Sequence, residues 1–340
     1  MKAEMADEFH PSSFIPHPFR GVLRLAEPMA RHTTWKVGGP ADRLYVPADL
    51  ADLALFLKSL PAEEPVTVVG LGSNLLVRDG GIRGTVVVMH GALSELRFEA
   101  DGRLYAEAGV ADARVARFAG RHDRVGAEFL AGIPGTLGGA LAMNAGCYGA
   151  ETWQVVDEVL TLGRDGELRR RSAAEYDIGY RHVALKEAKT KDEGGGMKDE
   201  DGEGRVGIHP SSFILHPCPE EWFVAAWLKL EQGDGEAAKA RMKELLEKRS
   251  ASQPLHLPNA GSVFRNPQGD HAGRLIEACG LKGQRIGGAQ ISDKHANFIV
   301  NVDGAKAGEI EALIGLAQEK VKEQFGIELV SEVRIIGVQG

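Results

Sequence analysis

The stretch Gly70-Leu-Gly-Ser-Asn-Leu-Leu-Val-Arg-Asp-Gly-Gly81 follows the β-branched run Pro65-Val-Thr-Val-Val-Gly70 and decides the fold class by failing a pattern. A strand leading into Gly-x-Gly opens a Rossmann dinucleotide unit, but the third glycine of that pattern is Leu75 here. Leu75-Leu-Val, followed by Asp-Gly-Gly, reads as strand and turn where a helix is required. No Rossmann sheet is expected. Consecutive backbone N–H groups in such a turn can still form an anion nest, although a tight turn between strands accounts for the same residues.

Downstream, Gly132-Ile-Pro-Gly-Thr-Leu-Gly-Gly-Ala140 is a second glycine cluster. Pro134 sets its own φ, Gly135 permits a left-handed residue, and Thr136 can cap a helix over Leu137 to Asn144 whose N-terminus directs N–H groups at an anion. Gly138 and Gly139 lie inside that helix, where each costs about 1 kcal/mol relative to Ala. Close approach of a flat or phosphorylated ligand is the natural reason. No Gly-x-x-x-x-Gly-Lys-[Ser/Thr] occurs, which excludes a P-loop NTPase.

Around these clusters, strand and helix signals mix without a regular βαβ alternation. Gly84-Thr-Val-Val-Val-Met89 reads as a strand, and Leu50, Leu53 and Leu57 recur at helical spacing. Helices are predicted at Ala111 to His122, Glu236 to Lys248 and Ala305 to Phe325, the last with a stripe of Ile310, Leu313, Ile314, Ala317 and Val321. Ile327 to Ile336 reads as a closing strand. On it Val330, Glu332 and Arg334 face one side, so Glu332 and Arg334 are expected to be neighbours. The class is α+β.

At 340 residues, with 43% hydrophobic and 26% charged residues, the chain has the balance of a globular protein of two or three domains. A net charge of −8 argues against a nucleic-acid coat. No apolar run approaches the roughly 18 residues of a membrane span, and Met1 to Arg20 carries Glu4, Asp7 and Glu8 instead of a signal-peptide core. Three cysteines without a Cys-x-x-Cys pair fit a reducing cytoplasm. No metal is expected, since the histidines are scattered and no His-Glu-x-x-His occurs.

Two near-identical strings, Phe9-His-Pro-Ser-Ser-Phe-Ile-Pro-His-Pro18 and Ile208-His-Pro-Ser-Ser-Phe-Ile-Leu-His-Pro217, read as a duplicated element tolerated at a terminus and a loop tip. Lys189 to Arg205 is dense in Gly, Asp, Glu and Lys, so residues about 187–219 are expected to form a mobile insertion.

Further segments join the glycine clusters in order: Thr33-Thr-Trp-Lys-Val-Gly-Gly-Pro40, Met143-Asn-Ala-Gly-Cys-Tyr-Gly149, Gly179-Tyr-Arg181, Pro258-Asn-Ala-Gly-Ser-Val-Phe-Arg-Asn-Pro267 and His295-Ala-Asn-Phe-Ile-Val-Asn301. Together they resemble the UDP-N-acetylenolpyruvoylglucosamine reductases, flavoenzymes of peptidoglycan precursor synthesis. The residues after Tyr180-Arg-His and the string Gln253-Pro-Leu-His-Leu-Pro are more similar to the shorter form, which lacks a tyrosine-bearing loop.

The resemblance implies an FAD-binding fold of the vanillyl-alcohol-oxidase type, in two subdomains, plus an α+β substrate domain. The expected division is a disordered extension at 1–20, subdomain one at 21–88 and subdomain two at 89–235. The substrate domain follows at 236–325, with a final strand at 326–340 returning to subdomain two. Gly70, Leu71, Gly72, Ser73, Asn74 and Leu75, with Gly132, Ile133, Pro134, Gly135, Gly138 and Gly139, would cradle the FAD pyrophosphate; Asn144, Ala145 and Gly146 would also line the cofactor. FAD would be held non-covalently, leaving Cys147 as a small buried thiol, and NADPH would be the hydride donor.

By the same resemblance, Ser262 is the proton donor, Arg181 pairs with the substrate carboxylate, and Glu332 helps polarise the enolpyruvyl group. Asn266 and Arg334 would bind substrate, UDP-N-acetylglucosamine enolpyruvate. His295 has a structural or substrate-domain role. No nucleic-acid, membrane or obligate oligomeric partner is implied. The rival readings are another oxidoreductase on the same scaffold and a non-catalytic flavin-binding protein. Ser262 in its Asn-Ala-Gly-Ser-Val-Phe setting and the absence of an obvious attachment histidine argue against the first, and the intact Arg181, Ser262 and Glu332 argue against the second.

Overall fold

The computed structural model describes residues 18–186 and 221–340. The expected insertion at 187–219 and both copies of the duplicated string, apart from Pro18, lie outside the described residues.

Helix α1 (Leu50–Ser59) forms where the leucine spacing predicts it. The Asp49 carboxylate accepts the Asp52 amide at its start, and Leu53, Phe56 and Leu57 are buried. That face packs on a mixed sheet ordered Val22–Pro28, Pro40–Val46, Ile82–Val88, Val66–Val69, with the first pair antiparallel and the others parallel. Phe56 stacks on Tyr45 of this sheet, with ring centroids 3.7 Å apart.

The second unit is an antiparallel sheet ordered Leu168–Ser172, Val156–Gly163, Glu221–Leu228, Leu104–Glu107, Leu96–Phe98. Its central strand, Glu-Trp-Phe-Val-Ala-Ala-Trp-Leu, is buried at every position, which explains a run of apolar residues without alternation. Helices α2 (Asp112–Arg121), α3 (Leu137–Met143) and α4 (Gly235–Ser252) belong to the same unit by packing.

The place of α4 corrects the expected boundary at residue 236. Its buried Met242 shares a core with Val115, Leu130 and Leu141 of the second unit. Gly120 makes the close crossing with α2 possible, since a Cβ there would lie 3.3 Å from the Met242 methyl. Downstream of α4, the third unit's core takes its first residue at Ala260.

That third unit joins an antiparallel sheet (Arg285–Ile286, Ala289–Ile291, Ile299–Asn301) to α5 (Ala272–Ala278) and α6 (Ala307–Phe325). Ile310, Leu313, Ile314, Ala317 and Val321 of α6 are all buried, as the stripe requires. Trp35 and Asp79 both tie it to the first unit. Trp35 is fully buried in its core, donating Nε1–H to the Ile299 carbonyl at 2.7 Å, while Asn301 Nδ2 donates to the Trp35 carbonyl at 3.0 Å. The Asp79 carboxylate accepts the amides of Ala307 and Gly308, each at 3.0 Å, at the start of α6.

The chain's end departs from the expected strand. Only Arg334–Ile336 is a strand, and it runs parallel to Leu75–Val77 in the range expected for subdomain one, not against subdomain two. Just before it, the Val330 carbonyl accepts from the Arg265 amide and the Glu332 amide donates to the Val263 carbonyl. The backbone therefore changes partners between residues 332 and 334. That switch breaks the simple alternation that would have made Glu332 and Arg334 neighbours.

Candidate active site

The two glycine clusters meet across one cleft. Gly72 has φ +63°, and a side chain there would run into the backbone of His32 and Thr33. A Cβ on Gly70 would strike Thr136 Oγ1, so the clusters are in contact. As the failed Rossmann pattern predicts, Leu75–Val77 is a strand. Two local details differ from expectation: Gly135 is not left-handed, and Thr136 stands at the α3 N-cap without a side-chain capping bond. Gly135 instead makes room beside Asp112, whose Oδ2 lies 3.1 Å from where a Cβ would stand.

The helical glycines have separate reasons. A Cβ on Gly138 would lie 2.8 Å from the Ala108 methyl, so that glycine serves the packing of α3 on the sheet. At Gly139 a Cβ would meet nothing within 4 Å, because this residue lines the cleft. Gly70 to Leu75, Gly132 to Gly135, Gly138, Gly139, Ala145 and Gly146 all line it too. An open glycine wall continuing into the apolar Met89, Ile133, Trp222 and Phe223 fits a flat, dinucleotide-sized cofactor.

Arg181, Ser262 and Glu332 come from three separate segments and line the same cleft. Arg181 is at the tip of the hairpin Tyr176–Gly179/His182–Leu185, and its Nε donates to Glu332 Oε1 at 2.6 Å. Glu332 is pinned from both sides: its amide donates to the Val263 carbonyl at 2.7 Å, and its carbonyl accepts from Asn74 Nδ2 at 3.1 Å. Ser262 precedes Val263 and follows Gly261, whose φ of +76° turns the chain sharply.

Three expected site residues do not line the cleft. Asn144 is 1% exposed, with its side chain bonded to Glu151, Trp153 and Gly179 behind the wall. Asn266 uses its Oδ1 to accept the Ala272 amide at the start of α5, at 3.1 Å. Arg334 directs Nη2 at the Met143 sulfur, at 3.6 Å, and burial together with the nearby Arg265 charge lowers its pKa. Each of these polar groups finds its partner through the fold, which its sequence neighbourhood does not reveal.

The cleft also recruits Arg249 and Gln253, at the end of α4, which the sequence reading missed. Arg249 donates to Gln253 Oε1 at 2.8 Å, and burial lowers its pKa while Cys147 and Tyr148 oppose that shift. Nothing distinguishes it from the other cations of α4 in sequence except that it closes the helix just before Gln253-Pro. Burial raises the Cys147 thiol pKa. His295 proves structural: Nδ1 accepts the Asn297 amide at 3.2 Å, the ring meets Phe298 edge-on, and burial lowers its pKa. Among the described residues no cluster of His, Cys, Asp or Glu could hold a metal ion, and no helix is long and apolar enough to cross a membrane.

Comparison with known proteins agrees with this architecture. Residues 41–172 match the FAD binding domain, and residues 253–336 match the UDP-N-acetylenolpyruvoylglucosamine reductase C-terminal domain. The chain is 56% identical over 321 residues to UDP-N-acetylenolpyruvoylglucosamine reductase of Nitrosospira multiformis, covering 94% of this chain and 89% of that one. It is 51% identical to the enzyme of the same name from Thiobacillus denitrificans, covering 94% and 93%. The crystal structure of the reductase from Thermus caldophilus superposes with a TM-score of 0.71 at 29% identity, covering 93% of this chain and 98% of that one. The first two units thus form an FAD-binding fold of the vanillyl-alcohol-oxidase type, followed by the reductase's own C-terminal domain. The chain belongs to the UDP-N-acetylenolpyruvoylglucosamine reductase family.

Proposed function

We infer that this chain is an FAD-dependent oxidoreductase that uses NADPH to reduce the enolpyruvyl group of UDP-N-acetylglucosamine enolpyruvate. The product is UDP-N-acetylmuramate, a peptidoglycan precursor. The observation that carries this reading is the convergence of Arg181, Ser262 and Glu332 on one glycine-walled cleft. The glycine clusters would hold FAD without a covalent link. Bound FAD would supply the redox chemistry, accepting a hydride from NADPH and delivering it to the terminal vinyl carbon of the substrate.

Addition at that carbon leaves negative charge on the adjacent carbon and its carboxylate, and the protein must hold that charge and provide one proton. The Arg181 guanidinium, fixed by Glu332, is suited to the carboxylate. Ser262 Oγ–H is the proton source for the adjacent carbon, and Glu332, paired with Arg181 on the same cleft, polarises the enolpyruvyl group. Arg249, on the cleft wall, adds positive potential for the anionic substrate. A cytoplasmic monomer acting on this small molecule, without nucleic acid or membrane, is sufficient for the chemistry.

An anaerobic titration tests the reading. NADPH should bleach the oxidised flavin band, and the enolpyruvyl substrate should restore it. A bleached protein that this substrate leaves bleached sinks the substrate assignment; a protein that cannot be reconstituted with FAD sinks the cofactor assignment.

A further inference from the structure

Arg181 has φ +53°, a left-handed conformation that is costly for a side chain of this kind, so the surrounding structure must impose it. Its hairpin turns on Tyr180 and Arg181 alone, between Gly179 and His182. Behind that turn stands Asn144, itself left-handed at φ +42° and 1% exposed.

Every polar group of the Asn144 side chain is committed. Nδ2 donates to the Gly179 carbonyl at 3.1 Å and to Glu151 Oε2 at 2.7 Å, and Oδ1 accepts the Trp153 amide at 3.2 Å. The Asn144 and Gly146 carbonyls accept from the Arg181 guanidinium, each at 3.4 Å. Glu151 is held in turn, because its carboxylate and the Gln154 side chain form a reciprocal cap on the short helical turn Thr152–Gln154. A capped carboxylate thus anchors a buried amide, and that amide anchors the main chain one residue before the arginine turn. The bond between them is charge-assisted and partly buried, which strengthens it.

We propose that Asn144 and Glu151 are a positioning pair for Arg181, setting where its guanidinium meets the substrate carboxylate, and that neither serves FAD. This rests on the reading of Arg181 as the carboxylate-binding residue. Displacement of a positioned group by about 1 Å can cost on the order of 100-fold in rate, so loss of the anchor should appear in the substrate half-reaction.

The test uses the holoenzyme with Glu151→Ala, Glu151→Gln and Asn144→Ala, and Arg181→Lys as reference. Four quantities are read: FAD content, flavin reduction by NADPH, substrate dissociation constant on the oxidised enzyme by calorimetry, and flavin reoxidation by substrate. Glu151→Ala and Asn144→Ala should keep FAD and reduce within about twofold of the parent rate, yet weaken substrate binding and slow reoxidation by about tenfold or more. Glu151→Gln, which retains an acceptor for Asn144, should recover most of the loss. Parental substrate binding and reoxidation in both alanine variants, or equal loss in both half-reactions, overturns the proposal. If Arg181→Lys leaves substrate binding and reoxidation untouched, the assignment of Arg181 fails instead. Should Glu151→Ala not fold, Glu151→Asp keeps the charge, shortens the reach and must give the same split between half-reactions.

Discussion

Arg181 and Glu332 stand 151 residues apart in sequence and meet at 2.6 Å, with side chains only 16% and 14% exposed. Removing one partner of such a pair leaves the other charge poorly solvated and free to turn elsewhere. Glu332→Gln should therefore misdirect Arg181 as well as remove a polarising carboxylate. The expected result is a fall in flavin reoxidation by substrate of about 100-fold, a size common for lost electrostatic stabilisation, with FAD content unchanged. Stopped-flow reoxidation and a flavin spectrum check both halves of that statement.

Ser262→Ala removes the proposed proton donor while keeping the Gly261 turn that carries it. General acids contribute typically about 100- to 10,000-fold, so reoxidation should slow by that order while NADPH reduces the flavin at nearly the parental rate. Equal slowing of both steps in rapid-mixing experiments would remove Ser262 from this role.

Gly139→Leu separates the fold from the cofactor. A Cβ at this position meets nothing within 4 Å among the described residues, and leucine is a better helix former than glycine by up to about 1 kcal/mol. The apoprotein should melt no lower than the parent, while the added side chain fills cofactor space and cuts FAD retention on gel filtration by about tenfold or more. A variant that keeps its flavin fully would show that Gly139 does not border it.

Asp112 predicts a pH dependence of stability. Its carboxyl is fully buried, with no partner for either oxygen among the described residues, and burial raises its pKa well above the ordinary carboxylate value. A carboxyl whose pKa rises on folding binds more protons in the native state. Its contribution is therefore intact below about pH 4 and is lost as pH climbs toward the raised value. Asp112→Asn cannot ionise, so its melting temperature relative to the parent should increase steadily from pH 5 to pH 9. A constant difference across that range would contradict the burial argument.

Much local order was legible from adjacent residues, the conformation of Gly135 and the Thr136 cap excepted. The leucine spacing of α1, the stripe of α6 and the replacement of the third Rossmann glycine by Leu75 each describe what a short segment does with its own backbone, and each element forms as read. The glycine clusters were legible for the same reason, since a missing side chain is a local fact even when its beneficiary is distant. Arg181, Ser262 and Glu332 came from the motifs around them, and the fold brings all three to the cleft.

Choices among distant partners were not legible. Trp35 lies in a segment of the first unit yet fills the core of the third, and α4 follows the second unit's strands and stays with them. Glu332 pairs with Arg181 rather than Arg334, because the backbone exchanges Val263 for Leu75–Val77 as its partner within a few residues. Asn144 and Asn266 carry side chains that any nearby donor or acceptor could satisfy. Sequence by itself determined which backbone conformations and which chemical groups this protein possesses, since those depend on neighbours along the chain. Tertiary structure alone decided which groups meet, because burial obliges each polar atom to find a partner and only the packed chain defines which partners are within reach.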